Sequence, residues 1–95
     1  MQERSKNSAV ITVVGKDRVG IIAHVSRLLA DSQININDIS QTIMDDVFTM
    51  IMMVDLEHMT IDIKTLADHL EALGHQMGLS IRVQHSDIFD AMHRI

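Results

Sequence analysis

The chain of 95 residues has no cysteine. It therefore has no disulfide framework, no thiolate metal site and no cysteine nucleophile, and a reducing cytoplasm suits it. Aromatic residues are nearly missing, with two phenylalanines and neither tyrosine nor tryptophan, so a surface that stacks nucleic-acid bases on rings has almost nothing to be built from. Basic residues are few and scattered. Eight Lys and Arg against thirteen Asp and Glu give a net charge of −5, which argues against sequence-independent attraction to nucleic acid or an anionic membrane. No run approaches the ~18 apolar residues of a membrane span, and the opening Met-Gln-Glu-Arg-Ser-Lys-Asn-Ser lacks the apolar segment of a signal peptide. The expectation is a soluble, cytoplasmic protein with a frayed segment at 1–7, no nucleic-acid or membrane partner and no cofactor.

Hydrophobic residues make up 46% of the chain, enough for one core and too few for a second. A β-branched run over residues 8–15 is apolar on both faces and reads as a central strand. Ile21, Val25, Leu28 and Leu29 then fall on one face of a helix spanning about 18–32. A polar strand over 34–44 follows, in which Asn35, Asn37, Ile39, Gln41 and Ile43 alternate with Ile34, Ile36, Asp38, Ser40 and Thr42. Asp45-Asp46 marks a turn into a third strand over 47–56, which makes a hairpin. Phe48, Met50, Met52, Val54 and Leu56 line one face of that strand and Val47, Thr49, Ile51 and Met53 the other. Two apolar faces in so small a chain imply cover on both sides of the sheet, by helices on one and a second subunit on the other. Ile63, Leu66, Leu70, Leu73 and Met77 set a second helix over 61–77, capped by Thr60 and stopped at Gly78. A fourth strand runs over 79–85. The tail 87–95 carries Ile88, Phe89, Met92 and Ile95 and reads as a short C-terminal helix packed on the sheet or a partner. The order β-α-β-β-α-β predicts an α+β, ferredoxin-like sandwich: a four-stranded antiparallel sheet with two helices on one face.

Chemistry-bearing patterns are sparse. The six histidines, His24, His58, His69, His75, His85 and His93, form no i, i+4 pair with metal-ligand spacing, so no metal site is expected. Asp45 and Asp46 are adjacent and point apart, a poor acid/base pair. No serine sits in a nucleophile elbow, and Gly15 to Gly20 lacks the Gly-Lys-Ser/Thr of a phosphate-binding loop. No catalytic residue is expected.

The stretch from Val13 to Ile21 is different, because there a strand stops and a helix starts. Asp17 is placed to cap that helix, and Gly20 leaves backbone N–H groups open to close approach by a carboxylate or phosphate. Gly15-Lys-Asp-Arg-Val-Gly-Ile-Ile, followed after one helix by Ile34-Asn-Ile-Asn-Asp-Ile, closely resembles the ACT domain, a small-molecule sensing module of amino-acid metabolism. Asp38-Ile-Ser-Gln-Thr and Phe48-Thr-Met fit the small stand-alone bacterial ACT proteins, a group of largely uncharacterised role. The resemblance covers about 8–86 and leaves 87–95 as an extension. It implies an amino acid or similar small carboxylate bound between subunits of a homodimer, held by the loop after the first strand (Asp17, Arg18, Gly20, Ile21) and the start of the second strand (Asn35, Ile36). It also implies an unidentified protein partner to receive the signal, since no catalytic or DNA-binding domain is attached. Val19 stands where many ACT loops have proline, and Gly15 where some have a side-chain donor. Two other readings share the topology: a structural interaction domain without effector, and an acylphosphatase-like hydrolase combining Arg18 with Asn35 or Asn37.

Overall fold

The structure, a computed structural model, describes residues 7–85. Its elements run β1 (Ser8–Lys16), α1 (Ile21–Asp31), β2 (Asn35–Met44), β3 (Val47–Asp55), α2 (Ile63–Met77) and β4 (Leu79–His85). The strands form one antiparallel sheet in the order β2-β3-β1-β4. This is the ferredoxin-like βαββαβ sandwich, with β1 and β3 central and β2 and β4 as edges.

Strand alternation explains the layers. Ala9, Ile11 and Val13 of β1 and Phe48, Met50, Met52 and Val54 of β3 face the helices. There they form one buried cluster with Ile21, Val25 and Leu29 of α1 and Leu66, Leu70 and Met77 of α2. Apolar area removed from water at ~25 cal/mol per Å² is the main stabilising contribution of that layer. On the other face, partners align in rows: Asp38, Met53, Val10 and Gln84; then Ser40, Ile51, Thr12 and Arg82; then Thr42, Thr49, Val14 and Ser80.

Several local expectations are corrected. The first helix starts at Ile21 rather than near Arg18. Gly20, at φ 92°, is its N-cap, and no side chain caps it, so Asp17 does not hold that role. The second helix is capped by Asp62, whose side chain accepts from the Thr65 N–H at 2.8 Å, and not by Thr60. Hydrogen bonds from the Thr65 side chain and N–H hold the Asp62 carboxyl below its ordinary range. Gly78 is the stop, as expected, with φ 69°. Strict alternation along β2 fails at a bulge between Ile36 and Asp38. The extra residue, Asn37, puts both Ile36 and Ile39 opposite core-facing partners, Val54 and Met52, where unbroken alternation would separate them. Asn7, placed in the frayed segment, is anchored instead: its carbonyl accepts the Leu56 N–H at 2.7 Å and its amide donates to the Leu56 carbonyl at 3.2 Å. The rest of that segment, 1–6, and the expected C-terminal helix lie outside the described residues.

Candidate functional site

The turn between β1 and α1 is built by three fixed points. The β1–β3 ladder ends with Lys16 opposite Val47, and one further bond, from the Asp17 N–H to the Asp46 carbonyl at 2.7 Å, ties the loop to the tip of the β2–β3 hairpin. Next, the Arg18 guanidinium donates to the Met77 carbonyl at 3.3 Å, a cation at the negative end of α2. Finally the chain passes Val19, 96% exposed, and turns through Gly20 in the left-handed region that disfavours side chains. The first helical bond is His24 N–H to the Gly20 carbonyl at 2.9 Å. The N–H groups of Ile21, Ile22 and Ala23 therefore precede any intrahelical acceptor and point out of the positive end of the helix.

Each residue expected at the site can now be placed. Asp17 is exposed at this corner. Arg18 is also exposed, but its bond to Met77 makes it a strut of the loop. The Ile21 side chain is buried in the core, so only its backbone N–H serves the site. Gly15 is crowded: a Cβ there would lie 2.5 Å from Leu79 Cδ2 and 3.1 Å from the Gly78 carbonyl oxygen, so Leu79 would have to shift to admit a side chain. Glycine at that position fits the close approach of β1 to the start of β4.

Asn35 and Ile36 stand elsewhere. Asn35 pairs with Asp55 at the end of the sheet where β1 begins, while Met44 pairs with Val47 at the end where α1 begins. Ten residues of β2 separate the two ends, ~30 Å at ~3.3 Å per residue. One chain does not bring Asn35 to Asp17, nor Arg18 to Asn35 or Asn37 in the acylphosphatase manner. Asn35 donates to the Asn37 side chain at 3.1 Å and lines a shallow cleft of about 530 Å³ with Gln33, Asp55 and His58.

Two features escaped the sequence reading. The His24 ring lies over Gly20, where a Cβ would sit 3.3 Å from His24 Cδ2, so an imidazole borders the open helix start. The i, i+4 step from Gly20 to His24 was the available signal. A groove of about 700 Å³ also runs between α2 and the edge strand β4, lined by Asp68, Glu71, His75 and Arg82 among others. Its only trace in the sequence is the polar face of α2. Among the described residues no three His, Asp or Glu side chains converge as metal ligands, and no helix is long and apolar enough to cross a membrane.

Comparison with known proteins agrees with this fold. Residues 7–84 match a family model described as an ACT domain. A UPF0237 protein from Methanocaldococcus jannaschii is 51% identical over 86 residues, covering 90% of this chain and 96% of that relative. One from Clostridium perfringens is 53% identical over 88 residues, covering 93% and 99%. A solved structure, an ACT domain protein from Streptococcus pneumoniae, aligns with a TM-score of 0.79 at 41% identity, over 90% of this chain and 96% of that one.

Proposed function

The chain belongs to the ACT domain family, and from that premise we propose that it is a stand-alone regulatory module. In this reading it binds an amino acid or similar small carboxylate where two copies meet and modulates a partner protein. ACT domains are commonly small-ligand-binding regulatory modules.

One observation carries the reading. Asp17 and Gly20 lie at one end of the sheet and Asn35 at the other, and β2 between them is an edge strand. Two copies joined by antiparallel pairing of their β2 edges, centred between Ile39 and Ser40, set Asn35 of each opposite Met44 of the other. The two-fold axis thereby carries Asn35 and Ile36 of one copy to the end of the sheet where α1 of the other begins. The same pairing covers Ile43 and Met44, 52% and 69% exposed in the single chain, and satisfies backbone groups that a free edge leaves unpaired.

The roles follow from the chemistry. The N–H groups of Ile21, Ile22 and Ala23, with the Asn35 amide of the second copy, receive the carboxylate. Asp17, released from capping duty, is free to accept the ammonium group. Arg18 fixes the loop, Gly20 lets the ligand approach the backbone, and Ile36 with the apolar edge selects the side chain. A ligand held by both copies favours the paired state and so biases whatever the pair contacts.

Calorimetry and thermal-shift measurements across the common amino acids test this. One saturable ligand is expected, with binding lost in Asp17→Ala and in Asn35→Ala. Silence across the panel from a folded, dimeric chain refutes it in favour of an interaction domain without effector.

A further inference from the structure

The β2 edge has a partner in the proposed dimer, but the sheet has a second edge. Among the described residues β4 neighbours only β1. Alternate residues of an edge strand turn their N–H and C=O groups away from the sheet, where water or another strand meets them. The usual protections of such an edge are missing here. The chain has no proline, and the β1–β4 register runs unbroken from Ala9 and His85 to Gly15 and Leu79, with no bulge to twist the edge away.

α2 makes this edge one side of a groove of about 700 Å³. The helix passes close above the start of β4, where a Cβ on Gly74 would lie 2.6 Å from the Leu79 carbonyl oxygen. The two walls carry opposite charge. Asp68, Glu71 and His75 line the α2 wall, and Arg82 stands on β4. Lys64 already pairs with Asp68 at 3.5 Å, whereas Glu71 and Arg82 have no ion-pair or hydrogen-bond partner among the described residues. Arg82 pairs in register with Thr12, on the face away from the helices. The two unmatched charges therefore flank the next strand position from opposite faces.

We infer that the β4 edge and its groove bind an extended segment of a different protein by strand addition. The backbone of that segment pairs with β4, and its side chains alternate between α2 and the open face. Positions facing α2 take a cation for Glu71 and small or β-branched residues beside Ala67 and Val83, while a position on the other face takes a carboxylate for Arg82. The segment thus carries its two charges an odd number of positions apart. A second copy is the poorer occupant. Two β4 edges joined about a two-fold axis normal to the sheet keep both α2 helices on one face and turn Asp68 and Glu71 of each toward those of the other. With the β2 edges joined as well, such pairing extends the sheet into an open ribbon without closing it. That closure argument alone rests on the proposed β2 pairing; the groove and its charges do not.

The probe is an array of peptides of seven residues, the length of β4, made of threonine and valine with one lysine and one aspartate at every pair of positions. With no amino acid added, so that the ligand site plays no part, the full chain is expected to bind peptides of odd charge spacing about fivefold or more tightly than those of even spacing. Methylating the peptide nitrogens that face β4 is expected to abolish binding. Glu71→Lys, at an exposed position, is expected to weaken the lysine-aspartate peptides about fivefold or more, and glutamate in place of the peptide's lysine to restore them. In hydrogen exchange followed by NMR, alternate amides within 79–84 exchange freely in the free chain and at least about tenfold more slowly with peptide. An array with no binder overturns the inference, as does binding indifferent to charge spacing or to methylation. So does protection of those amides in the free chain: if it grows with protein concentration the edge belongs to a second copy, and if it does not the edge belongs to the chain itself.

Discussion

If Asp17 and Asn35 serve one ligand from two different chains, two inactive variants must repair each other. Asp17→Ala removes the acceptor for the ammonium group and Asn35→Ala a donor to the carboxylate. Each is a hydrogen bond to a charged group, contributing about 1.5–3 kcal/mol, so each homodimer binds about 10- to 150-fold more weakly. In a heterodimer of the two, one site combines both mutated residues and the other combines intact Asp17 with intact Asn35. Random exchange of an equal mixture makes about half the dimers mixed, each with one whole site, so about one quarter of all sites regain the original affinity. The assay is titration calorimetry with the amino acid identified in the panel, on exchanged mixtures whose heterodimer content is read by native mass spectrometry from chains of different tag mass. A site built within one chain predicts no recovery at all. Heterodimers present with no tight sites refute the composite site, and the ~30 Å strand separation leaves no intrachain route by which Asp17 and Asn35 can rescue it.

Two further outcomes test the scaffold and its caps. Gly15→Ala drives a methyl to 2.5 Å from Leu79 Cδ2 and close to the Gly78 backbone, so urea unfolding should show a loss of about 1–3 kcal/mol; an unchanged midpoint refutes the close approach. Asp62 has a depressed carboxyl pKa because Thr65 hydrogen-bonds its charged form, so its stabilisation is present above the unfolded-state pKa and disappears as pH falls through the lower folded-state value. The difference in urea midpoint between the parent chain and Asp62→Ala should therefore be constant near neutrality and close only in acid, below about pH 4; a difference that persists at the acid limit refutes the assignment.

Much of the architecture was readable from periodicity. Alternation in 8–15 and 47–56 and the Leu66, Leu70, Met77 stripe give element types directly, because burial on one face forces these spacings. The start of α1 was not readable. Asp17 is the better cap by residue preference, but the bond from its N–H to the Asp46 carbonyl ties it to the hairpin tip, and the cap falls at Gly20, a tertiary constraint overriding local preference. The bulge at Asn37 was hidden for a similar reason: its evidence is the partner strand, where Val54 and Met52 both demand an isoleucine opposite. For the site, the sequence identified the loop by its glycine and the likeness it bears. Local spacing does not show that Asn35 lies a strand length away, but the β-α-β order implies it, since the helix returns the chain to the end of the sheet where β1 begins.

The Asp17–Asp46 bond has a mechanical meaning. With Arg18 bonded to the end of α2 and the Asp17 N–H bonded to the hairpin tip, the loop, the helix end and the turn are parts of one joint, so displacing any one of them strains the other two. Under the proposed function, a ligand that shifts Asp17 would be felt at the tip at Asp45 and Asp46, and a protein bound at that tip would alter the ligand's affinity by the same factor that the ligand alters its own.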